Sequence, residues 1–397
     1  MMSDFYTEWR RQENIRPLPL PNKEKYYFDL LNIERSWSGR IGVAMVNAFI
    51  MEADQQLINA IELFEQGYFD CAYYSLRSAV ETSTTIVFLA DLPDADREKY
   101  LALWQNTADF PMQGQMVRQL SQKGNIFTDM LEKMPNFFSD AKKLSAELNK
   151  YVHKQGPQHF YILRNHPLNP NKTQGDFILT FENYLERCIG VVAVMRLAID
   201  PFPLLLMDEE ILYRCFDSMT EPYSQEFVDK YIGSELIEQY KQTAIYSDTY
   251  DSFMGGEKKN EETFDVMKHQ YIDSQHLDKI FPQLHLLSLD DRISVLLVAA
   301  SKKIVKTYCI GGISMYFTDR NTNRKATSWS GSDFDRFAKA EQSFNQIYDE
   351  AYISVFQFNG MNYFAEHNVP LSKTEIDEMI SFISEELTKI DQRASKQ

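Results

Sequence analysis

Leu148-Asn149-Lys150-Tyr151-Val152-His153 stands near the end of a segment with helical periodicity, which runs from Phe137 to Lys154. Gly156-Pro157 follows at once and predicts the end of this helix, because neither residue favours its continuation. Residues 157–175 hold several prolines, asparagines and glutamines and read as a loop. The stretch 148–153 therefore lies at a helix end.

Helical patterns surround this stretch on both sides. Upstream, apolar residues recur mostly at three- and four-residue spacing, from Val43 through Phe64. Gly67 predicts a stop between two helices, and the second helix runs from about Asp70 to Pro93. Downstream, a strongly apolar helix is predicted over about 177–199. The first half of the chain is thus expected to be a bundle of helices.

Residues 40–199 resemble the HEPN family of all-helical domains, which many prokaryotic toxin and phage-defence proteins carry. The resemblance rests on GYFDCAYYSLRSAVETS (residues 67–83), in which Gly67-Tyr68 leads into Arg77 and Glu81, and on LNKYVH followed by a loop. It implies an all-α fold: a HEPN-like helical bundle with a helical C-terminal extension.

The family signature is an arginine, a polar residue that is often asparagine, three variable residues and a histidine. Asn149 and His153 match it, but Leu148 occupies the arginine position. Cleavage in this family resembles a metal-independent attack of a 2′-hydroxyl on the adjacent phosphate. A histidine can move protons near neutral pH, and an arginine stabilises negative charge on the phosphate. Leucine cannot take the second role.

Arg77 is the candidate replacement, because the resemblance places it on a helix that packs against the signature helix. Glu81 lies four residues further along the same helix face. The predicted catalytic residues are therefore His153, Asn149, Arg77 and Glu81. A structural interpretation stays open: Arg77 and Glu81 would form an ordinary helix pair, and His153 would hydrogen-bond the helix end.

Composition argues against several other functions. The chain has 397 residues and a formal net charge of −16, so broad non-specific binding to duplex nucleic acid is not expected. A local RNA site would need its own basic cluster or a partner that neutralises charge. The four cysteines are far apart, and His153, His159 and His166 lack the spacing of a zinc site. We predict no metal and no cofactor.

The longest apolar run, from Cys188 to Met207, is interrupted by Arg196, Asp200 and prolines, so it does not predict a membrane span. The N-terminal segment is charged and contains prolines, unlike an apolar signal segment. These features predict a cytoplasmic protein with no membrane partner.

The predicted organisation has three parts. Residues 1–39 form an N-terminal arm, residues 40–204 the HEPN-like domain, and residues 205–397 a helical C-terminal region of unknown role. In that last region, apolar helices are expected at about 289–310 and 373–391. Residues 311–365 are ambiguous and could contain a short hairpin.

Two functions follow from different classes of protein. The first is a HEPN-related, defence-associated or toxin–antitoxin protein that cleaves or binds RNA through a rewired or degenerate Asn-x3-His site. Its activity would be that of a metal-independent endoribonuclease, and the family's pairing implies a homodimer. The alternative is a non-catalytic interaction module, a sensor or scaffold that binds a partner protein or a small ligand. The acidic charge and Leu148 favour the second; Asn149 and His153 favour the first.

Overall fold

The computed structural model describes residues 5, 7–9, 11, 16–106, 109–161, 173–215, 220–323, 329–339, 345–348 and 351–394. The chain divides into two compact units. The first contains residues 1–212 and 218–255, and the second contains residues 213–217 and 256–397. The predicted boundaries after residues 39 and 204 both lie inside the first unit.

The described residues of the first unit form helices and no strands. The helices are α1 (Lys23–Glu34), α2 (Val46–Glu65), α3 (Phe69–Asp91), α4 (Asp94–Gln105), α5 (Gln113–Lys123), α6 (Asn125–Lys133), α7 (Pro135–Val152), α8 (Gln174–Leu197), α9 (Phe202–Leu205), α10 (Glu209–Leu212), α11 (Gln225–Tyr231), α12 (Ser234–Tyr240) and α13 (Ala244–Met254). The predicted helical content of this half of the chain is confirmed.

The turn between α2 and α3 follows from one glycine. Gly67 has a φ of 81°, a left-handed conformation that glycine adopts without steric penalty. The amide of Gly67 donates to the carbonyl of Phe64 at 2.9 Å, and the amide of Tyr68 donates to that of Leu63 at 2.8 Å. This pair of bonds is the Schellman motif, which ends α2 and turns the chain back into α3.

The core of the first unit also takes in the segment before α2. Leu18, Leu20, Tyr26 and Ile33 are buried in the same apolar cluster as the long helices. The second part of the predicted N-terminal arm is therefore a helix whose apolar face packs in this core.

Aromatic side chains join α2, α3, α7 and α8. The rings of Phe64 and Phe181 stack with centroids 3.9 Å apart, and those of Tyr73 and Tyr151 stack at the same separation. Stacked aromatic pairs contribute about 1 kcal/mol beyond the area they bury. The first pair joins α2 to α8, and the second joins α7, the helix of the signature stretch, to α3.

The second unit contains helices and a sheet. Its helices are α14 (Glu261–His269), α15 (Leu277–Ile280), α16 (Leu289–Ala300), α17 (Gly331–Lys339) and α18 (Lys373–Ala394). Its strands are β1 (Tyr271–Ile272), β2 (Ile304–Cys309), β3 (Ser314–Thr318), β4 (Gln346–Tyr348), β5 (Ala351–Phe358) and β6 (Met361–His367). They form one sheet in the order β1-β3-β2-β6-β5-β4, with β1 parallel to β3 and the other pairs antiparallel.

This sheet corrects the all-α prediction, which describes the first unit but not the second. The helix predicted over 289–310 ends at Ala300, and the rest of that range contributes β2. Every residue of β2 is buried. A strand covered on both faces lacks the alternation of apolar and polar residues that reveals a strand, so its sequence reads like a continuing helix.

Helices cover both faces of the sheet. Residues of α16 and α18, among them Ile293 and Ile383, share a core with Ile304 and Phe356 of the sheet. On the other face, α17 packs Phe334 and Phe337 against β2, β5 and β6. Across the described residues of both units, no helix is long and apolar enough to cross a membrane.

Candidate functional site

The outer face of α3 carries Tyr74, Arg77 and Glu81, spaced three and four residues apart. A helix aligns such positions in one row. Arg77 Nη2 lies 2.6 Å from Glu81 Oε1, and each of the two side chains is 32% exposed. Tyr74 is also exposed. This row is the first half of the candidate site.

Arg77 also reaches the helix of the signature stretch. Its Nε donates a hydrogen bond of 2.7 Å to Oδ1 of Asn149 on α7. The orientation of the Asn149 amide is fixed by this bond, because a guanidinium can only donate. The structure therefore brings together Arg77, Glu81 and Asn149, three of the four predicted site residues.

His153, the fourth predicted residue, caps the C-terminal end of α7. Its backbone amide donates to the carbonyl of Asn149 at 2.8 Å, so it lies one helical turn beyond that residue. The imidazole is exposed and forms no hydrogen bond with any residue that the structure describes. It is open to a ligand from solvent.

Leu148 points the other way. It is fully buried in the core of the first unit, whereas Asn149 is half-buried and His153 is exposed. Successive helical residues are rotated by about 100°, so position 148 faces the bundle when position 149 faces outward. An arginine at 148 would have its guanidinium in the core rather than beside His153.

Further charges lie beside these residues. Lys154, with a positive φ of 53°, forms an ion pair with Asp70 and lies 5.9 Å from the ring centre of Tyr74. Lys150 is exposed on the last turn of α7. Arg77, Lys150 and Lys154 are thus positive, but Asp70 and Glu81 offset much of that charge. The local field is modest.

A buried tyrosine cluster supports the site from behind. Tyr151 stacks on Tyr73 and meets Tyr184 edge-on at 5.6 Å. Burial raises the pKa of Tyr151 and raises that of Tyr73 well above its usual value, so both phenols stay protonated near neutral pH. Their role is to hold α3 and α7 in a fixed relation.

The histidine cluster does not form a metal site in the described part of the chain. His159 is buried, its Nδ1 contacts the carbonyl oxygen of Gln155, and its ring meets Tyr151 edge-on at 4.6 Å. His166 lies outside the described residues. Among the residues described, no group of three or more His, Cys, Asp or Glu side chains could hold a metal ion.

A larger cavity lies elsewhere on the same helix. It measures about 640 Å³ and is lined by Asn136, Phe137, Asp140, Ala141, Leu144, Arg187, Gly190, Val191, Val194, Tyr231, Ile232, Gly233, Glu235, Leu236 and Gln239. Its last α7 residue, Leu144, is nine positions before His153, or about 14 Å along a helix. The cavity and the signature residues are separate features, and nothing in the sequence pattern pointed to the cavity.

Asp54 on α2 was not among the site residues predicted from the sequence. It is 5% exposed, its Oδ1 is fully buried, and it forms no hydrogen bond or ion pair with any described residue. Burial, with a smaller contribution from Glu34, raises the pKa of its carboxyl to about 7. The sequence held a signal: Asp54 interrupts the apolar row of Ile50, Leu57 and Ile61.

The second unit has a buried polar cluster on its sheet. Glu366 of β6 is fully buried and accepts hydrogen bonds from the hydroxyl of Tyr308 and, at 2.7 Å, from Nε1 of Trp329. Lys306 is paired with Glu366 across the β2–β6 ladder. This cluster is satisfied internally, as expected for a structural network.

The chain matches no family model, no curated protein and no solved structure.

Proposed function

We propose that the first unit is a HEPN-related helical bundle that engages single-stranded RNA through a signature surface formed by Tyr74, Arg77, Asn149 and His153. The observation that carries this proposal is the hydrogen bond of 2.7 Å from Arg77 Nε to Asn149 Oδ1. It anchors a guanidinium beside the signature residues, although position 148 has none. Toxin–antitoxin and phage-defence roles are what the family resemblance implies for such a surface.

Arg77 retains donors for a phosphate. A guanidinium has five N–H groups, and Asn149 and Glu81 engage Nε and Nη2. The Nη1 group forms no hydrogen bond with a described residue, and the side chain is partly exposed. Arginine binds phosphate oxygens through such planar pairs of donors. In this proposal Arg77 binds one phosphate.

His153 and Tyr74 add two further roles. An exposed imidazole can accept the proton of a 2′-hydroxyl as that oxygen attacks the adjacent phosphorus. The bond from phosphorus to the 5′-oxygen then breaks, which leaves a 2′,3′-cyclic phosphate, and the departing 5′-oxygen takes up a proton. An exposed tyrosine gives an unstacked base a surface to stack on, as is common in single-strand recognition. Asn149 is the positioning residue, because it holds the guanidinium rather than the substrate.

The homodimer belongs to this proposal. One copy presents few groups to a phosphate, and a two-fold pairing through the end of α7 would double them. Tyr68 and Phe160, in the segments bordering this end, are large exposed apolar side chains of the kind that interfaces cover. We expect a mass of two chains by light scattering at micromolar concentration.

The direct test is RNA binding and cleavage by matched arginine variants. Arg77→Ala should weaken binding of a fluorescent single-stranded RNA about tenfold or more, because the phosphate loses a charged donor. Arg187→Ala is the control: Arg187 is 34% exposed and pairs with Glu147 at 2.7 Å, as Arg77 does with Glu81, but it lies beside the large cavity. Equal effects of both variants would contradict the proposal.

The salt dependence of binding gives an independent check. A single-stranded site that contacts about three phosphates should show a slope of log affinity against log salt near −2. Arg77→Ala should reduce the magnitude of that slope by about 0.7, the contribution of one phosphate contact. A flat salt dependence in the wild-type protein would exclude a phosphate-binding role.

One observation favours the alternative, an interaction module that binds a partner protein or a small ligand. The 640 Å³ cavity combines apolar side chains, among them Val191 and Leu236, with polar and charged ones, among them Arg187. Its volume is within the range of small-molecule sites. If wild-type protein and the Arg77→Ala and His153→Ala variants are all inert toward RNA, while Val191→Trp abolishes binding of a captured ligand, this second function replaces the first.

A further inference from the structure

A second cavity, separate from the signature surface, lies between α1 and α2. Its volume is about 340 Å³. Three carboxylates line it, Glu34, Asp54 and Glu62, and its apolar walls include Leu30, Leu31 and Ile58. It is an acidic cavity with an aliphatic lining.

The carboxyl group of Asp54 has no partner. The side chain is 95% buried, since only 5% is exposed, and it makes no hydrogen bond or ion pair with a described residue. A buried charge without a partner is strongly unfavourable, so such a group is either protonated or held for a ligand. Its place in the wall of a cavity favours the second explanation.

The other two carboxylates differ from each other. Glu62 is satisfied, because Lys23 Nζ lies 2.7 Å from its Oε1 and the hydroxyl of Tyr27 donates to it. Glu34 forms no hydrogen bond or ion pair with a described residue. The cavity therefore offers two carboxylates without partners, one inside at Asp54 and one exposed at Glu34.

An organic cation fits this lining better than a metal ion. Mg²⁺ and Ca²⁺ need six or more oxygen ligands, and they keep water where protein ligands are few. The leucine and isoleucine walls supply none, and no set of metal-ligating side chains occurs in the described residues. An alkyl chain can bury its methylene groups against these walls, which removes apolar surface from water.

A neighbouring cavity of about 270 Å³ extends the site. Glu34 lines both the 340 Å³ and the 270 Å³ cavity, and the 270 Å³ cavity is also lined by Trp37. The positive charge of Arg35 in that wall is balanced by Glu221, whose Oε2 is 3.2 Å from its Nη1. The exposed ring of Trp37 lines the same 270 Å³ cavity as Glu34, and aromatic faces attract cations.

We propose that the cavity between α1 and α2 binds an aliphatic diamine, with one ammonium on Asp54 and the other on Glu34. The site is independent of the RNA-binding proposal, because it shares no residue with the signature surface. It gives the first unit a binding site for small polyamines.

The protonation state of Asp54 predicts how diamine binding depends on pH. Its pKa of about 7 means that the carboxyl is partly protonated at neutral pH. The titratable groups in the same wall are Tyr27, Glu34 and Glu62, and Lys23 contacts Glu62. An ammonium binds the ionised carboxylate, so binding near neutral pH should release a proton. Affinity should rise roughly tenfold between about pH 6 and about pH 8.

The experiment is calorimetric titration of the full chain with butane-1,4-diamine at about pH 8, in two buffers of different ionisation enthalpy. We expect saturable binding, weaker binding of butan-1-amine and none of butane-1,4-diol, which has the same shape without charge. Near pH 7 the heats in the two buffers should differ, because a proton is released.

Matched variants identify the site. Asp54→Asn should abolish binding of both amines, and Glu34→Gln should reduce the diamine to the affinity of the monoamine. Glu52→Gln is the control, since Glu52 is an exposed carboxylate of the same helix outside the cavity. The control should bind like the wild-type protein.

Two results would overturn the proposal. One is an absence of diamine binding at millimolar concentration. The other is an equal loss in Glu34→Gln and Glu52→Gln, since the amine would then be attracted only by the net charge of −16. If Asp54→Asn does not fold, Ile58→Trp fills the cavity without changing any charge. Wild-type affinity in that variant would also exclude the site.

Discussion

Asp200 and Asp54 are buried to nearly the same extent in the same helical unit, at 8% and 5% exposed, but their surroundings are opposite. Asp200 Oδ1 accepts from Nη1 and Nη2 of the fully buried Arg196, each at 3.2 Å, and its Oδ2 accepts from Ser38 Oγ. Among the residues that the structure describes, Asp54 has no such partner. Full satisfaction marks a structural carboxylate, whereas a missing partner marks a group that can bind a ligand or a proton.

Glu81 is a third kind of carboxylate in the same unit, both paired and partly exposed. It is paired with Arg77, but both side chains are about one-third exposed. Water screens such a pair, so it contributes little to stability. The pair also leaves the guanidinium of Arg77 partly exposed, so that its remaining donors can reach a phosphate, as the RNA proposal requires. Each of the three carboxylates therefore predicts a different response to mutation.

The largest expected effect on stability comes from removing the ion-pair partner of Asp200, which leaves its carboxylate unpaired like that of Asp54. Arg196→Ala leaves the Asp200 carboxylate buried without its ion pair, which should lower the free energy of unfolding by about 3–5 kcal/mol. Urea denaturation measures this loss. Arg187→Ala, which breaks a half-exposed pair, should cost less than about 1 kcal/mol. Similar losses of unfolding free energy in the two variants would contradict the distinction between the buried pair of Asp200 and the partly exposed pair of Arg187.

Leu148→Arg belongs in the same range of effects. It places a guanidinium in the fully buried position of Leu148, which belongs to the apolar core of the first unit. We expect a loss of several kcal/mol and no gain of RNA cleavage. Enhanced cleavage by a folded Leu148→Arg protein would show that position 148 can reach the signature surface.

The next effect is the pH dependence of stability that Asp54 creates. Its folded-state pKa of about 7 is higher than the ordinary value of 3.8. Between about pH 4 and about pH 7 the unfolded chain has lost this proton while the folded chain retains it. Stability from this group is therefore full below about pH 4 and falls as the pH rises to about 7. At 1.36 kcal/mol per pKa unit the total is about 4 kcal/mol.

Asp54→Asn should remove this slope, and Glu52→Gln should keep it. Denaturation midpoints at several pH values between about 4 and 8 measure both variants. Adding butane-1,4-diamine to the wild-type protein should restore stability at about pH 8, because the ligand binds only the folded state. An unchanged slope in Asp54→Asn would assign the pH dependence to other groups.

The helices of the first unit could be read from the sequence, but most of its functional geometry could not. Gly67 and the apolar spacing around it predicted the α2–α3 turn. The contact from Arg77 to the signature helix was an expectation of the family resemblance, whereas the burial of Leu148 depends on the rotation of α7 in the bundle. Asp54 shares its cavity with residues of α1, a segment assigned to an arm, so the pattern of α2 alone could not reveal that cavity.

The second unit shows a different limit of sequence analysis. Strand β2 is buried along its whole length, so its apolar pattern has no period of two. One signal was present: Asn359-Gly360 joins β5 to β6, with φ of 49° and 77°. An Asn-Gly pair with two positive φ values is typical of the tight hairpin turn and predicts two strands. The expected short hairpin is part of a larger mixed sheet.

RNA cleavage by the signature surface should depend on both His153 and Arg77, and more strongly on His153. His153→Ala should abolish cleavage of single-stranded RNA and leave the melting temperature nearly unchanged, because the imidazole is exposed and supports no packing. Arg77→Ala should lower the rate about a hundredfold, as removal of one donor to a developing oxyanion does. Loss of stability in both variants, without RNA activity in the wild type, would make both residues structural.

The smallest expected effect comes from Glu81→Gln, which tests the partly exposed pair of Arg77 and Glu81. The variant keeps the shape of the side chain and removes the charge that competes with phosphate for Arg77. Stability should change by less than about 0.5 kcal/mol, because an exposed helix pair four residues apart contributes no more. RNA affinity should rise several-fold, since the guanidinium no longer has to share its charge with a carboxylate. Glu147→Gln makes the same change at the Arg187 pair and should leave RNA affinity unaltered. A fall in RNA affinity in Glu81→Gln would mean that Glu81 orients Arg77 for the ligand rather than competing with it.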